Sequence, residues 1–341
     1  MIRIHTRTPN RIDLAGGTLD IYPLYLFLSG GYTLNAAIDL YSEIQLETRE
    51  DDQFVFRSDD LDADLSLSRD ELMQGRGDDS AFRLLVEGVR FYRPATGLNI
   101  TSRNQAPKGS GLGASSALLI ALSGALNQLN QQYLPGEQLI QHAADLEAWA
   151  LDIPTGKQDY YAALYGGVQA LHFSNRGVQR ENLQLSEDFF QQLNAGLVLS
   201  FTGQSHFSGT NNWNMMKRYI DNSDNTRTAL QGIRKTAADV HRALQNEDLE
   251  ALSAALNQEW HNRKNLAEGV STPQIETMIN AVNAAGAWAS KICGAGGGGC
   301  LLTLCPPGQR NAVESALQET GAEVMRHRIV RHGLQIQEAF Y

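Results

Sequence analysis

The first sixty residues alternate apolar and polar side chains in short runs, as in Tyr41-Ser42-Glu43-Ile44-Gln45-Leu46-Glu47-Thr48. A period of two puts neighbouring side chains on opposite faces, so this region predicts half-buried antiparallel strands. Asp59, Asp60, Asp62 and Asp64 fit a solvated loop or hairpin end. A helix is expected over residues 80–93 and a strand over 98–102. Residues 117–126 are nearly apolar all round and rich in strong helix formers, the pattern of a buried helix. Residues 137–151 set Leu139, Ile140, Ala143, Leu146 and Ala150 on one helical face, and Pro154 would stop that helix. Residues 160–173 read as a turn through Tyr165-Gly166-Gly167 into a strand.

The second half opens on a buried strand at residues 197–201 and continues in mostly helical patterns from 211 to 289. A glycine block at 294–299 leads into a strand at 300–304, and a helix over 310–320 and further strands complete the chain. Strands and helices mix without regular βαβ alternation, which predicts an α+β protein. At 341 residues the chain exceeds what one hydrophobic core usually supports, so two domains are expected.

Composition narrows the function. With 42% hydrophobic and 19% charged residues the chain is ordinary globular protein. A formal net charge of -10 argues against a nucleic-acid partner, while a local basic site for phosphate stays open. Cys293, Cys300 and Cys305 have no C-x-x-C spacing and sit in apolar surroundings, so buried reduced thiols are expected. The start MIRIHTRTPN has no apolar h-region, and no apolar run approaches bilayer length. A cytoplasmic protein with no membrane partner is expected.

The glycine-rich segments carry the candidate chemistry. Residues 294–299 fit G-x-G-x-x-G letter for letter, but a dinucleotide site needs a strand before and a helix after. Here a helical stretch precedes and a strand follows, so that reading is rejected. Residues 109–116 stand where anion binding needs them, as a glycine-rich loop opening a helix. Unpaired N–H groups and the helix dipole favour phosphate there, and glycine lets the backbone approach closely. The plainer alternative is a tight loop before a core helix with nothing bound. No Walker A pattern occurs in the chain.

Pro107 through Ala117 closely resembles the second signature of the GHMP kinases (galacto-, homoserine, mevalonate and phosphomevalonate kinases), P-x-x-x-G-L-G-S-S-A. Ala114 stands where the first serine usually does, which leaves the metal-binding hydroxyl open between Ser115 and Ser116. Residues 291–300 resemble the third signature, K-x-x-G-A-G-G-G-G. Residues 9–20 are similar to the first, P-x-R-I-x-x-A-G-G-G-T-D, with the order Gly-Gly-Thr-Leu-Asp here. The three stand in the family's order and spacing. The resemblance implies the two-domain GHMP kinase fold: a ribosomal S5 domain 2-like N-terminal domain (1–194) and a ferredoxin-like C-terminal domain (195–341). The N-terminal domain would carry the phosphate loop and base.

The same resemblance implies ATP and Mg²⁺ as cofactors. Pro107, Gly109, Ser110, Gly111, Leu112, Gly113, Ala114, Ser115 and Ser116 would bind the nucleotide. Ser116, or else Ser115, would coordinate the metal with Glu147, for which Asp145 is the weaker rival. Residues 155–162 look like the G-[KR]-Q-D-Q-Y-A segment of the bacterial heptose 7-phosphate kinases, which implies Asp159 as the base and Lys157 as the cation keeping it ionised. Arg11 would act in catalysis. Asp20, Gly17, Thr18, Gly294, Gly296 and Gly297 would face the acceptor.

Residues 202–208 resemble T-G-x-S-R-x-S of the heptose-kinase branch with His206 in the arginine position, which opens a neutral sugar as acceptor. Residues 265–271 resemble the same branch. His142 and His261 lack zinc-site spacing. The implied activity is transfer of the γ-phosphate of ATP to a hydroxyl of a sugar or sugar phosphate, at the anomeric position. Alternatives are a kinase of a mevalonate- or homoserine-like alcohol, a catalytically silent ligand sensor of this fold, and a nicotinamide-dependent oxidoreductase. The partner is a small molecule, and the oligomeric state is open, a homodimer being one option.

Overall fold

A computed structural model describes residues 1–77, 81–205 and 208–340. The alternating N-terminal region forms β1 (Ile2–Ala15) and β2 (Gly31–Thr48), antiparallel and joined through the short helix α1 (Leu24–Phe27). β3 (Gln53–Ser58) and β4 (Ala63–Ser68) make a hairpin whose turn holds Asp59, Asp60 and Asp62. After α2 (Arg69–Met73) and α3 (Arg83–Tyr92), β5 (Leu98–Asn104) enters the sheet parallel to β3. Three helices follow: α4 (Ala114–Leu129), α5 (Gly136–Leu151) and α6 (Gln158–Tyr165). The hairpin β6 (Val168–Ser174) and β7 (Gly177–Asn182) completes this half.

Next come α7 (Glu187–Gly196), β8 (Leu197–Phe201) and the helices α8 (Ser208–Ile220), α9 (Asp224–Gln245), α10 (Leu249–Arg263) and α11 (Pro273–Ala284). The hairpin β9 (Ala289–Ile292) and β10 (Cys300–Leu304) leads to α12 (Arg310–Glu319), β11 (Glu323–Met325) and β12 (Gln335–Phe340).

Among the described residues, eight strands form the first sheet, in the order β12-β1-β2-β5-β3-β4 with β6 and β7 branching from β2. Its core joins strand residues such as Ile44, Phe54 and Ile100 to Leu119, Leu122 and Leu139 from the helices. Each such side chain contributes roughly 1.5–3 kcal/mol on burial. The second sheet is antiparallel, β11-β8-β10-β9. In chain order that is 4-1-3-2, with helices between its first and second and its third and fourth strands, which is the ferredoxin-like arrangement. Together the two sheets give the expected α+β architecture. A shared core of Ile12, Leu34 and Leu112 with Leu199, Cys293 and Leu302 joins the halves.

Two features differ from the sequence reading. Residues 160–165 belong to helix α6, and the expected turn at Gly166-Gly167 then leads into β6. A strand, not a helix, precedes the 294–299 block; four residues are too few to show a period. α7 links the two sheets, and β12 returns to pair with β1. Cys293, Cys300 and Cys305 are buried free thiols. No helix among the described residues is long and apolar enough to cross a membrane.

Candidate active site

A cleft of about 690 Å³ runs between the halves and contains most of the residues singled out by sequence. Its floor is the loop before α4. Gly113 caps that helix at φ 77°, and among the described residues no side-chain cap bonds its first turn. Those N–H groups have no partner within the helix and make an anion site at the positive end of its dipole. A Cβ on Gly113 would lie 2.9 Å from Cγ of Asp159, so only glycine leaves room for that carboxylate.

Asp159 reaches this spot from the first turn of α6. Arg11 Nε and Nη2 each donate to its Oδ1 at 2.7 Å. Arg11 Nη1 donates to the Gly111 carbonyl at 2.5 Å, and the Arg11 amide donates to the Leu112 carbonyl at 3.0 Å. One arginine thus ties β1, the glycine loop and Asp159 together. Burial pushes the Asp159 carboxyl upward, opposed by the Arg11 charge and hydrogen bond.

Glu147 lies beside the same loop, 3% exposed. Ser115 Oγ donates to its Oε1 at 2.5 Å and Ser116 Oγ to its Oε2 at 2.7 Å, and the Tyr160 hydroxyl also donates to Oε2. Burial raises this carboxyl too, and the three hydroxyls oppose the rise. A buried carboxylate whose partners are hydroxyls is an oxygen donor set suited to a hard cation. Asp145, the rival, is bound instead by Gln141 at the surface.

Asp20, also in the cleft wall, is 1% exposed and accepts the Thr18 amide at 3.1 Å and the Gln158 amide at 2.9 Å. Burial pushes its pKa up to about 6, against the Gln158 bond. Gly17, Thr18 and Gly294 also line the cleft. A far arm, which the sequence did not reveal, is lined by Leu61, Phe82, Ala106 and Leu118 with Ser58 and Asn104. These positions come from separate elements and share no motif.

Several expected residues sit elsewhere. Lys157 turns away from Asp159, its amine donating to Gln141 Oε1 at 2.6 Å near Asp145 and Glu137; Arg11 is the cation beside Asp159. Gly296 and Gly297 abut Val270, the Gly297 amide donating to its carbonyl at 2.8 Å, because the loop must close the β9–β10 hairpin. Pro107 shapes the loop by accepting the Ser110 amide at 3.0 Å and does not line the cleft. His206 lies outside the described residues. Tyr160, one position after the predicted base, is a partner the sequence reading missed.

Residues 80–167 match the model described as GHMP kinases N terminal domain, and residues 240–323 match GHMP kinases C terminal. The mevalonate kinase of Pyrococcus furiosus is 30% identical over 247 residues, 71% of this chain and 70% of that one. The chain belongs to the GHMP kinase family. As a GHMP kinase it is an ATP-dependent phosphotransferase acting on a hydroxyl group. The D-glycero-alpha-D-manno-heptose 7-phosphate kinase of Campylobacter jejuni is 28% identical over 338 residues, covering 98% of this GHMP kinase and 99% of itself. A crystal structure of a D-glycero-D-manno-heptose 1-phosphate kinase from Bacteroides thetaiotaomicron superposes with TM-score 0.80 at 25% identity, covering 99% of this chain and all of that one. Lactococcus lactis galactokinase, at 17% identity and TM-score 0.78, covers 98% and 95% and shares the fold alone.

Proposed function

We propose that this GHMP kinase transfers the γ-phosphate of ATP to the anomeric hydroxyl of a seven-carbon sugar phosphate. The observation that carries the reading is the Asp159 carboxylate, clamped by Arg11 against Gly113 at the mouth of the anion-binding helix start. A hydroxyl between that carboxylate and a phosphate on the loop amides would be aligned for in-line attack. Its oxygen forms the bond to Pγ as Asp159 takes the proton, and the bond from Pγ to the bridging oxygen breaks to release ADP. Full-length similarity to a heptose 7-phosphate kinase supports the acceptor class.

The remaining roles follow from position. Glu147 with Ser116 or Ser115 would hold Mg²⁺, which neutralises phosphate oxygens when bound. The far arm would take adenine: its walls are apolar, and the buried Asn104 Oδ1 has no partner among the described residues. Asp20, with the Gly17–Thr18 backbone and Gly294, would meet acceptor hydroxyls. We place the phosphate loop and base in the N-terminal domain, residues 1–194.

Coupled ADP release over a panel of heptose phosphates, free sugars and mevalonate tests the acceptor. Asp159→Asn is expected to lower kcat by roughly 10²–10⁴-fold while ATP still protects the protein from heat. Near-normal turnover in that variant removes Asp159 from the role of base.

A further inference from the structure

Behind the acceptor loop lies a group of charges that the proposed chemistry does not use. Asp13, Glu259, Arg263 and Lys291 have fully buried side chains, two acids and two bases in balance. Lys291 Nζ donates to the Asp13 carbonyl at 2.8 Å and to its Oδ2 at 2.9 Å, and stands 3.6 Å from Glu259 Oε2. Although burial alone would raise the Asp13 carboxyl, Lys291, Arg263 and Arg11 hold it below the usual range. Asp13 belongs to β1, Glu259 and Arg263 to α10 and Lys291 to β9, so the group spans both halves.

Arg263 spends its fork on the site itself. Nη2 donates to the Gly17 carbonyl at 2.9 Å, and Nη1 reaches the Gly294 carbonyl at 3.3 Å and Thr18 Oγ1 at 3.5 Å. Nε donates to Glu259 Oε1 at 2.9 Å, which fixes the plane of the guanidinium. The loop it grips is strained: Thr18, a β-branched residue, sits at φ 84°. Such a backbone persists only where its surroundings over-determine it. Here the surroundings include Arg263, the Asp20 carboxylate on the Thr18 amide, Met215 Sδ accepting from Thr18 Oγ1 at 3.7 Å and the Ile21 amide on the Thr18 carbonyl at 3.3 Å.

We propose that Arg263 is a positioning residue that locks the Gly16–Asp20 loop to the Gly294 loop, so that acceptor binding depends on it and nucleotide binding does not. The inference rests on the kinase reading of the same cleft. Lysine at this position keeps the charge for Glu259 and Asp13 but cannot span the Gly17 and Gly294 carbonyls together. The Gly113 loop, which would hold the nucleotide, makes none of these bonds.

Two variants test it: Arg263→Lys, and the charge-neutral pair Arg263→Met with Glu259→Met, which leaves no buried charge without its partner. Hydrogen exchange, which needs no acceptor, should show the amides of Thr18, Leu19 and Ile21 exchanging at least tenfold faster, with residues 109–117 unchanged. With ATP and D-glycero-D-manno-heptose 7-phosphate, acceptor KM should rise roughly tenfold or more while the Kd for ATP stays within twofold. Unchanged exchange in the 18–21 segment overturns the proposal. So does an equal loosening of both loops, or loss of the fold in both variants by circular dichroism, since the group would then serve stability alone. Failure of the wild-type protein to bind ATP would overturn the kinase reading instead, and the exchange result would stand apart from it.

Discussion

At the scale of single residues, Asp20 sets activity and stability against each other. Its carboxyl is buried at the acceptor end of the cleft with a pKa pushed up to about 6. In the unfolded chain an aspartate titrates near 3.9, so the native state binds this proton more tightly. The stability it contributes is therefore complete below about pH 4 and is lost as pH rises through about 6, to a total of about 3 kcal/mol. The ionised carboxylate accepts sugar hydroxyls at both oxygens and more strongly than the neutral acid, so kcat/KM for the acceptor should climb as pH rises through about 6. Urea unfolding from pH 4 to 7 should show wild-type stability falling relative to Asp20→Ser by up to that amount. A gap that does not change with pH would contradict the assignment.

Elements explain why the site assembles where it does. The start of α4 and the start of α6 meet at Gly113 and Asp159, and the contact exists only because residue 113 lacks a Cβ and adopts φ 77°. Gly113→Ala is expected to cost about 1–2 kcal/mol through backbone strain. The added methyl also displaces Asp159, so kcat should fall by more than tenfold although the protein remains folded; thermal unfolding and turnover measured on one preparation check both. The glycine loop and buried α4 were readable in sequence because each is a contiguous run with one dominant physical signal. By contrast α6 has eight residues and no clear apolar stripe, and Asp159 beside Gly156-Lys157 reads locally as a turn. Lys157 misled for a related reason: adjacency in sequence does not place two side chains on one face when a helix begins between them. The far arm and the Asp13–Arg263–Lys291 group were invisible because their members lie up to 278 positions apart. Single charges in separate elements carry no period to read.

For the whole molecule the question is whether two sheets make two folding units. A chain of this length often unfolds in stages. Here the junction argues otherwise. Ile12, Leu34 and Leu112 pack against Leu199, Cys293 and Leu302 in one core, and β12 carries the end of the chain back to β1. Separating the halves would also break the Asp13 ion pairs with Lys291 and Arg263. An intermediate with one half folded thus loses twice, through exposed apolar surface and through the broken ion pairs. Far-UV circular dichroism should report a single transition coincident with tryptophan fluorescence, which samples α5 through Trp149 and the second half through Trp213, Trp260 and Trp288. ATP at one hundred times its Kd should move that whole transition upward by about 2.7 kcal/mol, because the cleft is built from both halves. Two resolved transitions, with only the earlier or only the later one responding to ATP, would show that the halves fold independently and that the buried charges do not couple them.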